Sequence, residues 1–296
     1  MRLSHVRALQ FMLTHPLARG RRLGVLARYL RWQIGSRILG HPAVMPYIGR
    51  TRLLVTTGMH GATMNLYLGL ADFQDMSFML HMLRPADTFF DIGANVGVYS
   101  ILASGVADAR TVAVEPVPSS FDILVDNIAL NRLAGRISAQ NCGLAAQEGK
   151  LRFSTANGPT NHVLIDSLSE GSVAVPVMTL DTLAKQQKPV LLKIDVEGFE
   201  HEVIRGGREL LSDPAVLALI VELNGLGRRY GFDDGLIDAE IRRLGFQPAT
   251  YAPLNRDLVL NDERNATGNT LYVRRSADLM DRLRGGQSID VFGVHL

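Results

Sequence analysis

Three short runs constrain this chain more than any other feature: TFFDI at residues 88–92, VLLKID at 190–195 and VLALIVELN at 216–224. Each is strand-length and almost continuously apolar. A strand with one wet face alternates polar and apolar residues, so a run that does not alternate must be covered on both faces. That is the condition of a parallel sheet between two helical layers. RTVAVEP (110–116) and ISAQNCG (137–143) read as two further strands, and amphipathic stretches at 96–106, 119–133 and 200–211 fall between them as helices. The pattern predicts a mostly parallel, doubly wound α/β sheet. FQPATYAP and NTLYVRR, within residues 246–275, read as closing strands. The segment at 144–180, rich in Gly, Asn and Ser, carries KLRFST and VAVPVMT and reads as a hairpin or loop over the sheet edge.

At 296 residues and 47% hydrophobic, the chain is long enough to bury a full core. No run approaches the roughly 18 apolar residues of a membrane span, and ALQFML near the start is too short and interrupted for a signal peptide. The single cysteine, Cys142, excludes an internal disulfide and a thiolate metal site. It reads as a small buried residue in a reducing, cytoplasmic compartment. Charge is unevenly placed. Residues 1–71 hold ten arginines, no lysine and no acid; with a formal charge of +2 for the whole, residues 72–296 carry −8. Three segments are expected: a basic helical extension at 1–50, the main domain at 51–275 and a tail at 276–296.

Ligands of an open α/β sheet bind beyond the carboxyl ends of its strands. Those ends carry Asp91, Glu115, Asp195 with Glu197, and Glu222 with Asn224. A pyrophosphate site uses G-x-G-x-x-G and does not tolerate an anion closing the strand. Here DIGANVG begins with the acid and offers G-x-N-x-G. An acid there suits a cationic ligand such as the methionyl end of a sulfonium nucleoside, and Glu115, ending the second strand, is placed for a ribose diol. Together they point to S-adenosylmethionine. The rival readings are an NAD-dependent oxidoreductase, disfavoured by DIGANVG and by the absence of an evident hydride-transfer set, and a non-catalytic nucleoside-binding scaffold.

FFDIGANVGVYSILAS, AVEPVPSSFDILVDNIALN and LLKIDVEGFEHEVIRGG resemble, in order and spacing, the three signature blocks of FkbM-type methyltransferases. The resemblance runs from about residue 58 to 273. It implies a Rossmann-like class I methyltransferase fold, S-adenosylmethionine as cofactor, and O-methylation of a hydroxyl, most readily on a sugar of a bacterial glycan, polysaccharide or glycolipid. It further implies that Asp91, Gly93, Asn95 and Gly97 line the methionine end, that Glu115 holds the ribose and that Asn141 passes near adenine.

A sugar hydroxyl needs a base to take its proton. Asp195, Glu197 and His201 are the candidates, with Asp195 first because it ends the strand; His201 reads more simply as a first-turn helix residue. Lys193 is expected to pair with Glu222. Asp195, Glu197, Glu222 and Asn224 form an oxygen set acceptable to Mg²⁺, although the reading without a metal is preferred. Asn161 and His162 in the insertion, with Tyr251, Asn255 and Arg256 near the end, are the candidates for acceptor contact, along with Glu222 and Asn224.

In the extension, Leu23, Leu26, Leu30, Ile34 and Ile38 recur at helical spacing. This stripe is expected to pack on the main domain or on a second subunit of a homo-oligomer. Peripheral contact with the inner face of the cytoplasmic membrane is the next reading and suits a lipid-linked acceptor. Nucleic acid is not expected, given an acidic body without a recognition module.

Overall fold

The computed structural model describes residues 2–40, 42–155, 161–164 and 172–296. The chain opens with helices α1 (Arg2–Thr14) and α2 (Arg22–Leu39), a hairpin of β1 (Ala43–Pro46) and β2 (Arg52–Val55), and helices α3 (His60–Leu68) and α4 (Phe73–Met82). Then come β3 (Thr88–Ile92), α5 (Val98–Gly105), β4 (Arg110–Val114), α6 (Pro118–Leu130) and β5 (Ile137–Gln140). The insertion holds β6 (Gly143–Leu144), β7 (Gly149–Ser154) and β8 (Ser172–Met178), and α7 (Leu180–Ala184) leads out of it. The chain continues through β9 (Leu191–Ile194), α8 (Glu200–Arg205), α9 (Arg208–Ser212), β10 (Ala218–Glu222) and α10 (Asp234–Arg243). It closes with β11 (Gln247–Ala252), β12 (Asp257–Leu260), β13 (Asn269–Val273), α11 (Ala277–Arg284) and a final hairpin of β14 (Asp290–Val291) and β15 (Val294–His295).

Eight strands form one sheet in the order β12-β11-β13-β10-β9-β3-β4-β5. The five from β10 to β5 are parallel, and β13 is antiparallel to β10 and β11. This is the Rossmann-like α/β architecture expected from the apolar runs. Alternate side chains of those runs enter opposite cores: Phe89, Leu191 and Ile220 join the layer of α4, α5 and α11, whereas Phe90, Leu192 and Val221 join the layer of α8 to α10. Both faces of each strand are therefore dry, which is why the runs do not alternate. Strand order reverses between β3 and β9, and that crevice is where the fold leaves room for a ligand.

The insertion is a hairpin, as expected: β7 pairs antiparallel with β8, and β6 adds to β8. The helix expected over 200–211 is broken into α8 and α9 at Gly206 and Gly207, poor helix formers; a side chain at Gly206 would collide with the Ala145 carbonyl, which is why a glycine stands there. Residues 276–296 are more than a tail. Leu279, Leu283, Ile289, Val291 and Leu296 lie in the main core, and Arg282 pairs with buried Asp87 at 2.6 Å.

The extension departs furthest from expectation. Met12, Leu17, Val25 and Trp32 bury themselves in the main core, so the extension does dock on the domain. On α2, however, the packed face is Val25, Trp32 and Ser36, with the Tyr29 ring 5.3 Å from that of Tyr67 and the Arg28 guanidinium 4.3 Å over the Phe292 ring. The expected stripe points the other way: Leu23, Leu30, Ile34 and Ile38 are 84, 53, 57 and 78% exposed. Large aromatic rings bury more area than the aliphatic stripe, and they decide which face is covered.

Candidate active site

The first strand end turns sharply. Gly93, Asn95 and Gly97 all have positive φ (80°, 51° and 89°), which accounts for small or Asn residues at every second position. A Cβ on Gly93 would run into the Asp195 carbonyl, so the loop after β3 passes directly against the end of β9. The Asn95 N–H donates to Glu115 Oε2 at 2.9 Å, and the Val117 N–H donates to Glu115 Oε1 at 2.9 Å. Glu115 thus ties the glycine turn to the second strand while each oxygen keeps a lone pair for a further donor. Burial pushes its carboxyl up to about 7 against the pull of these two N–H groups.

Lys193 of β9 stands beside Asp91 of β3 in the sheet register, with its Nζ 2.7 Å from Asp195 Oδ2 and 5.0 Å from the Tyr99 ring centre. Burial alone would lower its ammonium, but Asp195, Asp91 and Asp72 more than offset this and hold it charged. Its partner is therefore Asp195 rather than the expected Glu222. Asp91 Oδ2 accepts the Ser100 hydroxyl at 2.6 Å, and Tyr99 donates to Asp72 Oδ2 at 2.9 Å.

Around this buried cation sit carboxyls of unequal acidity. One oxygen each of Asp195, Glu197 and Glu222 lies within 4.8 Å of the others. Burial, then the Asp195 charge, pushes Glu222 up to about 9 and Glu197 to about 7. Glu197 also sits at φ 56°, a left-handed conformation uncommon for a long side chain, on the loop leaving β9. Hard oxygen ligands in this arrangement suit a divalent cation, but Lys193 already sets a positive charge against Asp195.

A cavity of about 360 Å³ opens over the switch point. One end is lined by Asp72, Asp91, Asn95, Lys193, Asp195 and Glu197, with Glu115 beyond. Val114, Pro116, Leu144, Phe153 and Val163 give the cavity apolar lining, with Asn161 also on the wall, and Phe11, Met59, Met64 and Met76 line it from the N-terminal region. Of the expected cofactor residues, Asp91, Gly93, Asn95 and Glu115 line this space. Gly97 stands behind it, where a Cβ would press on Leu124. Asn141 is off the wall: its amide donates to the Glu115 and Pro116 carbonyls at 2.9 and 3.1 Å, and the third strand end contributes Gly143 and Leu144 instead.

Other expected site residues lie elsewhere. His201 is on α8 against the Phe232 ring (4.2 Å), between Glu202 and Glu240. Tyr251 is fully buried, its hydroxyl 2.7 Å from His81 Nδ1, because its ring completes the core under α4. Arg256 clasps the carbonyls of Arg284, Gly286, Gln287 and Leu296. Asn255 lies in an exposed turn, and the backbone N–H of His162 is held by Ser154 Oγ at 3.1 Å. Glu222 belongs to the carboxyl group beside Asp195, with Asn224 donating to it at 2.8 Å. Asp72, Met59, Met64 and Met76 also line the cavity from outside the three sequence blocks, and Tyr99 lines it from within the first. A signal for Asp72 was present: it is the first acid after 71 residues without one.

The donor set suits S-adenosylmethionine. Carboxyls outnumber the one ammonium at the polar end, as a sulfonium and an α-ammonium require, with Glu115 just past the end of the neighbouring strand β4 and apolar residues completing the lining. Residues 91–248, just over half the chain, match the methyltransferase FkbM domain. The chain belongs to the FkbM methyltransferase family. Methyltransferases of this family use S-adenosylmethionine as their cofactor. Among curated relatives, hexuronic acid methyltransferase AglP of Haloferax volcanii is 32% identical over 153 residues, covering 49% of this chain and 59% of that protein. The 31-O-demethyl-FK506 methyltransferase FkbM of Streptomyces tacrolimicus is 36% identical over 84 residues, 27% of this chain and 32% of that one. The chain thus spans less than two thirds of these relatives. A crystal structure of methyltransferase FkbM from Methylobacillus flagellatus aligns at 16% identity and a TM-score of 0.45, covering 72% of this chain and 54% of that one.

Proposed function

We propose that this FkbM-family chain methylates a hydroxyl of a sugar, the acceptor entering beside Asp195 and Glu197. The observation that carries the reading is the carboxyl group around Lys193 at the end of β9. When bound, S-adenosylmethionine supplies a methyl group already activated by its sulfonium, so the protein must orient the acceptor and take its proton. The hexuronic acid named for the Haloferax relative supports a sugar as the acceptor class.

The three carboxyls divide the work. Asp195, held by Lys193 Nζ at 2.7 Å, orients the incoming hydroxyl. Glu222, at about 9, is protonated near neutrality and hydrogen-bonds Asp195. Glu197, at about 7, is the group whose affinity matches the operating pH, so it takes the proton. This moves the base from the strand-end Asp195 to the acid two residues on. Phe11, Met59, Met64 and Met76 add apolar lining to the cavity.

The test is calorimetry with S-adenosylhomocysteine and NAD, followed by methyl incorporation into free, nucleotide-linked and lipid-linked hexuronic acids and hexoses. Binding of S-adenosylhomocysteine with transfer to one of these sugars is expected. NAD binding in its place would establish the oxidoreductase reading, and cofactor binding without transfer to any acceptor the scaffold reading.

A further inference from the structure

The exposed apolar residues of this chain are not scattered. Of ten large hydrophobic side chains standing out from the surface among the described residues, four are Leu23, Leu30, Ile34 and Ile38 of α2. Spacings of seven, four and four residues put them on one side of the helix, along a line of ~22 Å at the helical rise. The opposite side, Val25, Trp32 and Ser36, is buried. The helix therefore has two apolar faces, of which the protein covers one. Exposed Arg22 and Arg37 flank the open line on one side and exposed Arg31 on the other. Among the described residues, no arginine from Arg7 to Arg52 has a carboxylate within 4.0 Å.

We propose that α2 lies on an anionic lipid surface, with Leu23, Leu30, Ile34 and Ile38 entering the headgroup boundary and Arg22, Arg31 and Arg37 against the phosphates. Such a surface offers apolar depth and negative charge together, which is what this face presents in complement. A second copy does not: pairing stripe with stripe would bring the arginines of both chains together. The other six, Phe11, Val44, Val125, Leu236, Leu254 and Val259, are spread over different parts of the chain and offer no matching strip. Phe11, on the helix packed against α2, lines the cavity, so a seated α2 would bring the cavity to a surface that carries lipid-linked sugars. That consequence rests on the proposed function; the seating does not.

Flotation of the full chain with phosphatidylglycerol–phosphatidylcholine vesicles, against phosphatidylcholine alone, tests the seating without any methyl transfer. Wild type is expected to partition at least about tenfold more strongly to the anionic vesicles, and less at high salt. Leu30→Glu with Ile34→Glu, and separately Arg22→Glu with Arg31→Glu, are each expected to cut that binding about tenfold or more. Unchanged thermal unfolding and S-adenosylhomocysteine binding would establish that both variants are folded. Wild type remaining unbound at low salt would overturn the proposal. So would vesicle binding that survives the Glu variants, or a dimer in sedimentation that the Leu30/Ile34 variant dissociates while wild type ignores vesicles.

Discussion

Lys193 Nζ and Asp195 Oδ2 meet at 2.7 Å at the end of β9, with the ammonium almost wholly buried and the carboxylate at the cavity wall. A lone buried ammonium would be unstable, and Asp72, Asp91 and Asp195 crowded together without it would repel. The pair makes the site self-consistent. Lys193→Met should cost about 3–5 kcal/mol of stability by stranding buried acids. If the variant folds, kcat should fall more than about 100-fold, since Asp195 then loses the ammonium that holds it in place. Chemical denaturation and single-turnover methyl transfer would read the two effects separately.

Glu197 should set the pH dependence of turnover. Its carboxyl is raised to about 7, and only the deprotonated form accepts the hydroxyl proton, so kcat/KM should rise with pH through that value and level off above it. Glu197→Gln should remove the inflection and lower kcat about 10²–10⁴-fold. A Glu197→Gln enzyme that retains the wild-type profile would return the base to Asp195.

Stability should move with pH in the opposite sense. Glu115, Glu197 and Glu200 are raised from 4.5 to about 7, and Glu222 to about 9, chiefly by burial. The folded state therefore holds more protons than the unfolded chain between pH 4.5 and these values. Their contribution is complete below pH 4.5 and is lost as pH rises through 7 and then 9. Tm of the ligand-free protein should decline across that interval. A cationic ligand such as S-adenosylmethionine should stabilise most at the alkaline end.

Gly93→Ala should abolish cofactor binding, because φ of 80° and the Asp195 carbonyl both exclude a Cβ. The backbone strain alone is worth about 1–3 kcal/mol. Calorimetry with S-adenosylhomocysteine against a Gly135→Ala control measures it; the Gly135 Cβ position is open and its φ lies outside the positive range.

Chelation should leave turnover unchanged, since Lys193 already sets a positive charge against Asp195, one of the three clustered carboxyls. Loss of activity in EDTA with recovery on Mg²⁺ would place a cation there.

Much of this protein was determined locally. The unbroken apolar runs at 88–92, 190–195 and 216–224 imply a sheet covered on both faces, and the glycine turn after Asp91 with Glu115 one strand on implies a cationic nucleoside site. Both follow from short-range patterns: strand periodicity, and residues that tolerate positive φ. What tertiary structure decided is everything that depends on which of two surfaces wins a contact. Leu23 and Ile38 look like core residues by spacing, yet Trp32 and Val25 took the covered face. Tyr251 and Arg256 look like loop recognition groups, yet one fills the core under α4 and the other clasps the chain end. Lys193 reads as a partner for the neighbouring strand, but side chains at a strand end reach along the cavity and met Asp195 first. Periodicity records that a residue has an apolar or charged side; the competition among all such sides for a limited interior is settled only when the whole chain is packed.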